Sequence, residues 1–303
     1  MKSVASSITQ TISPTSAPSR LNLVKVAVVA AAVMALAACA NTQNAQNAQK
    51  AHDPVVKQVR LDRALALFSS NTGADLPAGW EPLILMRKKK ATDYTLVHDQ
   101  QLGRTVLRAY ANKASSGLRH EVDIDPLKQP WLSWSWKVSS LIKSADNTQR
   151  DTEDSPVRIV LAFDGDKSKL SFMDTILFDT AKLVSGQDFP YATLMYIWEN
   201  KAAKESVIAN TRTGRIQMLV AESGDANVGK WVHYQRNIVD DYVKGYGEQP
   251  VRLIAVGVLT DTDNTEEQVE SWYGDIRLLR QAEVATTPAA PAAPAVASTQ
   301  AQH

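Results

Sequence analysis

The residues best suited to chemistry are carboxylates grouped at three points of the 303-residue chain. Asp151, Glu153 and Asp154 precede Pro156, Asp164 and Asp166 bracket Gly165, and Asp261-Thr262-Asp263-Asn264-Thr265 follows the apolar run 251–260. Oxygen ligands gathered in a loop suit Ca²⁺, so Asp261 and Asp263 are the metal candidates and a structural Ca²⁺ is the one cofactor to expect. Asp, Asn and Gly are also ordinary turn residues that bond their own backbone, and 261–265 lacks the full EF-hand spacing. Two carboxylates at a set separation would allow acid–base hydrolysis of a glycosidic bond. Other catalytic patterns are missing: there is no G-x-S-x-G, no phosphate loop ending in Lys-Ser/Thr, and no H-E-x-x-H. His52, His98, His120, His233 and His303 stand apart from one another, so none is assigned a role.

Aromatic residues offer the second kind of chemistry. Seven tryptophans occur, three of them at 131, 134 and 136. Period-two spacing puts Trp134 and Trp136 on one strand face with Leu132 and Val138, which is the signature of a core face. Trp131 takes the other face with Ser133, Ser135 and Lys137, where an indole can stack on a sugar ring. With Asp154, Arg158 and Trp198 it forms the expected set of ligand contacts, and no catalytic residue is assigned.

Cys39 is the single cysteine. Lys2, Arg20 and Lys25, with no acid, precede the apolar stretch Val26–Ala38, which describes a secretory signal. Thirteen apolar residues are too few for an ordinary spanning helix. Leu36-Ala37-Ala38-Cys39 resembles the lipobox of bacterial lipoproteins, and that resemblance implies acylation of Cys39 after removal of residues 1–38. Ala40, rather than Asp, behind the cysteine implies passage to the outer membrane, so the expected address is the cell envelope, on the periplasmic face of that membrane. Multiple acyl chains would make a stable membrane tether. Without its leader the chain keeps 30 basic against 32 acidic side chains. Such a balance argues against nucleic acid as a partner, and with Cys39 acylated no disulfide can form.

These residues need a scaffold, and the dominant pattern is alternation. Strand-like runs occur at 106–110, 118–124, 132–138, 157–163, 192–198, 206–209, 215–221, 231–235, 251–259 and 272–279. Many short period-two runs broken by Gly, Pro and Asp predict a mainly β, antiparallel, jelly-roll-like sandwich. Phe172, Met173, Ile176, Leu177, Leu183 and Val184 recur at helical spacing ahead of Gly186, and 238–246 reads as a short helix ending at Gly245 or Gly247. One or two short helices inserted in the β body are therefore expected. The polar stretch 39–57 reads as a tether, 58–281 as the sandwich, and the Pro/Ala-rich 282–303 as a tail.

Several stretches resemble a bacterial family known only as domain of unknown function 3047. They are Trp134-Ser135-Trp136-Lys137, Glu153 to Ile159, Pro190 to Trp198, Gly229 to Val232 with Arg236-Asn237 and Asp241-Tyr242, Asp261 to Thr265, and Tyr273-Gly274-Asp275-Ile276. The chain departs from the family pattern at Glu153, where a second aspartate is usual. The resemblance brings no catalytic residues, and its strand pattern looks like the jelly rolls of carbohydrate-binding modules. The expected function is a lipid-anchored, non-catalytic binding module for a glycan or other envelope ligand. The alternatives are an envelope polysaccharide hydrolase and a scaffold subunit with an envelope protein as partner.

Overall fold

The computed structural model describes residues 65–71, 73–84, 88–185 and 188–282. Cys39, the leader 1–38, the tether 39–57 and the tail from residue 283 lie outside the described residues. No helix among the described residues is long and apolar enough to cross a membrane.

Thirteen strands form two facing sheets. In chain order they are β1 (Trp80–Leu83), β2 (Asp93–Asp99), β3 (Arg104–Asn112), β4 (Ser115–Ile124), β5 (Trp131–Val138), β6 (Ser155–Asp164) and β7 (Ala192–Glu199), then β8 (Val207–Ala209), β9 (Ile216–Ser223), β10 (Val232–Asn237), β11 (Arg252–Asp261), β12 (Gln268–Tyr273) and β13 (Arg277–Leu279). The seven-stranded sheet runs β1-β4-β11-β6-β7-β9-β8 and the six-stranded one β10-β5-β12-β3-β2, with β13 also on β5. All pairings are antiparallel except β7 with β9. This is the mainly β sandwich that the alternation predicts, with two inserted helices, α1 (Phe172–Ser185) and α2 (Ile238–Tyr246).

Two predicted features differ from the observed ones. β1 and β2 escape the sequence pattern: β1 is only four residues long and carries Pro82, tolerated at its edge position, and β2 is too exposed to alternate cleanly. The run 272–279 is not one strand. β12 and β13 follow each other along the same edge of β5, separated at Gly274-Asp275-Ile276.

The aromatic layer between the sheets explains why this sequence closes as a sandwich. Trp134 on β5 stacks on Tyr196 of the opposite sheet, with ring centroids 4.7 Å apart, and on Tyr234 beside it at 5.0 Å. Trp136 meets Trp198 across the same gap. Leu132, Trp134, Trp136 and Val138 are all buried, as their shared face requires. Asn237 caps α2 by accepting from Val239 N and Asp240 N, and Gly247 ends it in the left-handed region at φ 69°. In α1 the Ser171 hydroxyl accepts from Asp174 N, but the apolar residues at helical spacing do not form a packed face. Phe178 alone is buried, stacked on Phe189, while Phe172, Met173, Ile176 and Leu183 are exposed.

Gly274 marks the tightest approach in the six-stranded sheet. Its N–H donates to Ser135 O at 2.9 Å, and a Cβ on it would stand 2.2 Å from Ser135 Oγ. Gly274→Ala should therefore cost about 1–3 kcal/mol by overpacking. Adding Ser135→Ala removes the colliding hydroxyl and should restore most of the loss, read as a recovery of the urea midpoint in a double-mutant cycle.

Candidate functional site

The acidic groups of the sequence meet in space. Asp154, before β6, and Asp261 and Asp263, at and after the end of β11, bring carboxylate oxygens within 4.8 Å of one another. Arg158 lies among them on β6 and is 2% exposed. Its Nε donates to Asp261 Oδ1 at 3.1 Å and one terminal nitrogen to Asp261 Oδ2 at 3.3 Å and Glu153 O at 3.1 Å. Asp261 Oδ1 also accepts from Ser155 N at 2.9 Å. Asp154 Oδ2 accepts from both Thr265 N and Thr265 Oγ1 at 2.7 Å, and Lys89 pairs with Asp263. Asp154 and Asp261 thus accept from donors of the chain itself, while Asp263 Oδ2 is buried without a hydrogen-bond partner and has Lys89 beside it. Arg158 and Lys89 make the cluster an ion-pair joint between two loops, and its three carboxylates stand close enough together to hold a metal ion.

This geometry corrects the set of contacts expected from sequence. Asp154 and Arg158 are buried in the joint, and Trp198 is fully buried with its indole N–H donated to Gly224 O at 2.9 Å. None of the three presents a surface to a ligand, and none joins Trp131. For the hydrolase reading, Asp154 and Asp261 form a close carboxylate pair, but one closed off from solvent.

Trp131 remains half-buried on the outward face of the six-stranded sheet, and that face holds the groups that sequence reading passed over. Register carries the outward row through Lys137 on β5, Trp272 on β12, Arg108 on β3 and Thr95 on β2. Trp231, just before β10, completes it. The Lys137 ammonium lies 4.6 Å from the Trp272 ring centroid and 5.0 Å from that of Trp231. It also donates to Asp99 Oδ2 at 2.7 Å, and Trp231 Nε1 donates to Asp99 Oδ1 at 3.2 Å. Asp99 sits on β2, at one edge of the sheet, and Trp231 precedes β10, at the other edge. Their contact across the outer face makes that face a trough. Burial pushes the Asp99 carboxyl upward, but Lys137, the Leu102 N–H and Trp231 outweigh it and hold the group below its ordinary value. Beside this clasp, Arg108 pairs with Glu270, and the Tyr110 hydroxyl donates to Gln268 Oε1 at 3.1 Å. Continuing the alternation into 268–273 would have separated Trp272 from the buried Tyr273. Asp99 had no such signal, because β2 is irregular in pattern.

The buried joint sets a pH response. Burial, reinforced by Asp154 and opposed by Arg158, raises Asp261 from 3.8 to about 6. An acid whose folded pKa is raised stabilises the fold most below its unfolded pKa, and that contribution is lost as pH rises through about 6. Between pH 4.5 and 7.5, urea unfolding should show stability shifting in favour of Asp261→Asn over wild type by about 2 kcal/mol. A gap independent of pH would contradict this.

In sequence, no curated protein matches the chain. In structure, it is similar to the family 11 carbohydrate-binding module of the cellulosomal cellulase Lic26A-Cel5E of Clostridium thermocellum. The identity is 8%, the TM-score 0.34, and the match covers 72% of this chain and 93% of that one. The xyloglucanase domain of NopAA, a type three effector from Sinorhizobium fredii, is 8% identical with a TM-score of 0.37, covering 68% of this chain and 94% of that one. The CBM22-1 xylan-binding domain of Paenibacillus barcinonensis Xyn10C is 12% identical with a TM-score of 0.30, covering 73% and 98%. At these scores the fold rests on the strand registers described above. The family model described as protein of unknown function (DUF3047) matches residues 78–277, and the chain belongs to that family.

Proposed function

We propose that this protein is a non-catalytic glycan-binding module, held at the cell envelope by a lipid on Cys39. The observation that carries the reading is the trough on the six-stranded sheet, where half-buried Trp231 and Trp272 flank the Lys137–Asp99 pair. Sugar rings present apolar C–H faces to indoles and hydroxyls to charged donors and acceptors, and this face offers both. Trp131 stands on the same outward face, six residues along β5 from Lys137. Lys137 and Asp99 already fix each other, so a ligand would meet side chains with little rotamer freedom left to lose. The proposed address is the periplasmic face of the outer membrane.

A panel of peptidoglycan fragments and β-linked oligosaccharides, titrated calorimetrically into the protein, tests the first part. Saturable binding to one class is expected, weakened roughly tenfold or more, about 1.4 kcal/mol, by Trp272→Ala or Trp231→Ala. Absence of saturable binding across the panel, or binding untouched by both substitutions, would overturn it. For the second part, Cys39→Ala should abolish incorporation of labelled palmitate in cells and release the protein from membranes. Retained label would remove the anchor.

A further inference from the structure

The outward face of the six-stranded sheet carries its charges unevenly. Around Trp231 and Trp272 they cancel in pairs, Lys137 with Asp99 and Arg108 with Glu270. Along β5 toward Trp131 the outward residues are Ser135 and Ser133, with His233 and Gln235 opposite them on β10. Arg277 of β13 stands on the other side of Ser133. Arg104 begins β3 on the same face, four residues before Arg108, and is the cross-strand partner of Asp99. Two arginines thus enter the part of the trough that lies between its tryptophans.

Both guanidiniums lean on one carboxylate. Asp275 is buried, and its two oxygens already accept from Ser69 N at 2.9 Å and Ser69 Oγ at 2.6 Å. Arg277 reaches it at 3.4 Å and Arg104 only at 3.8 Å. The Arg104 Nε–H is buried without a hydrogen-bond partner, and leaving such a donor unsatisfied costs about 1–3 kcal/mol. Other acids do not make up the difference. Asp93 stands opposite Tyr110, beyond Arg108. Asp123 lines a cleft of about 550 Å³ together with Arg277 and Arg280, but it is taken by Arg252. Positive charge is therefore left over here. The side chains that carry it are 37% and 42% exposed, so a ligand can reach them from solvent. Partial burial, with Arg104 nearby, holds the His233 imidazole below its ordinary pKa, so it offers this stretch hydrogen bonding at neutral pH.

We infer that the glycan taken by this trough is acidic, with a sugar carboxylate held by Arg104 and Arg277 between the indoles of Trp272 and Trp131. This rests on the glycan reading above and adds to it the charge of the ligand. A guanidinium is a planar fork that matches a carboxylate, and hydrogen bonds between ions are roughly twice as strong as neutral ones. A carboxylate would fill the empty Nε–H of Arg104 and cancel the surplus charge. A sugar hydroxyl could do the first but not the second. Ser133, Ser135 and His233 beside the arginines would take up hydroxyls of the same sugar.

The test titrates acidic oligosaccharides calorimetrically beside their methyl esters, which keep the sugars and linkages and lose only the charge. Oligouronates and peptide-free peptidoglycan strands, whose muramic acids carry a lactyl carboxylate, supply the acids. The acid should bind at least about tenfold more tightly than its ester. Arg104→Gln and Arg277→Gln, each with an unchanged circular dichroism spectrum, should narrow that gap to less than about threefold. Wild-type protein gives a readout that needs no variant: raising NaCl from about 0.05 to 0.5 M should shrink the gap, because half-exposed charges are screened. Equal binding of acid and ester would overturn the inference and leave the glycan reading standing. A preference unmoved by salt and by both substitutions would overturn it too. Absence of binding to every glycan, charged or neutral, would remove the reading and the inference together.

Discussion

The fold depends on one buried guanidinium. Arg158 faces away from the aromatic core, alternating with Val157, Ile159 and Leu161, yet it is almost fully buried. Taking such a group out of water costs several kcal/mol, and only well-placed partners repay it. Here they come from three directions: the Asp261 carboxylate on the neighbouring strand, the Glu153 carbonyl behind it in sequence, and Met218 Sδ at 3.2 Å. Removing the arginine would leave Asp261 buried beside Asp154, a change of the kind that costs roughly 3–5 kcal/mol. The constraint reaches further through Asp154, whose carboxylate fixes the 264–265 turn, and through Tyr273. That hydroxyl accepts from Arg158 N at 3.2 Å and donates to Leu259 O at 2.8 Å, joining the two sheets.

Seen from this joint, the residues that carry the family resemblance are mostly load paths between elements. Arg236 and Asp241 form a two-point ion pair at 2.7 Å that ties β10 to α2, and Tyr196 donates to the same carboxylate from the opposite sheet at 2.8 Å. Gly274 permits the close approach to Ser135 that lets β12 and β13 share one edge of β5. Glu153, where the family usually has aspartate, uses its longer side chain to accept twice from Asn210 Nδ2, at 2.8 and 3.0 Å. Polar residues held in a family-wide order need not mark a ligand site. In a sandwich without disulfides among its described residues, they also fix how the sheets and loops are joined.

This explains which parts were legible in the sequence. Period-two alternation reports burial on one face, so β3 to β11 were readable, as was the inward direction of Trp134 and Trp136. The same alternation put Trp131 outside. It could not tell that Asp154 and Arg158 are buried, because a polar residue in an outward phase looks solvated until a neighbouring loop folds over it, whereas Trp198 shares its phase with the buried Leu194 and Tyr196 and its place in the core was open to the same reading. Nor could it join Asp99 to Trp231, which are separated by most of the domain and meet only because the sheet curves. Helical spacing located α1, but spacing says which residues share a face and not whether anything covers that face. Phe172 and Leu183 are exposed for that reason.

Trp131 begins β5, where Asn237 and Leu279 pair with it. Lys137 lies six residues further on, roughly 20 Å along an extended strand. A ligand entering the trough from the end where β5 begins would meet Trp131 first, whereas one entering from the other end would meet Trp272 first. The distance between the two tryptophans along this trough is therefore a physical discriminator: the one whose removal costs more affinity reports the direction from which the glycan arrives.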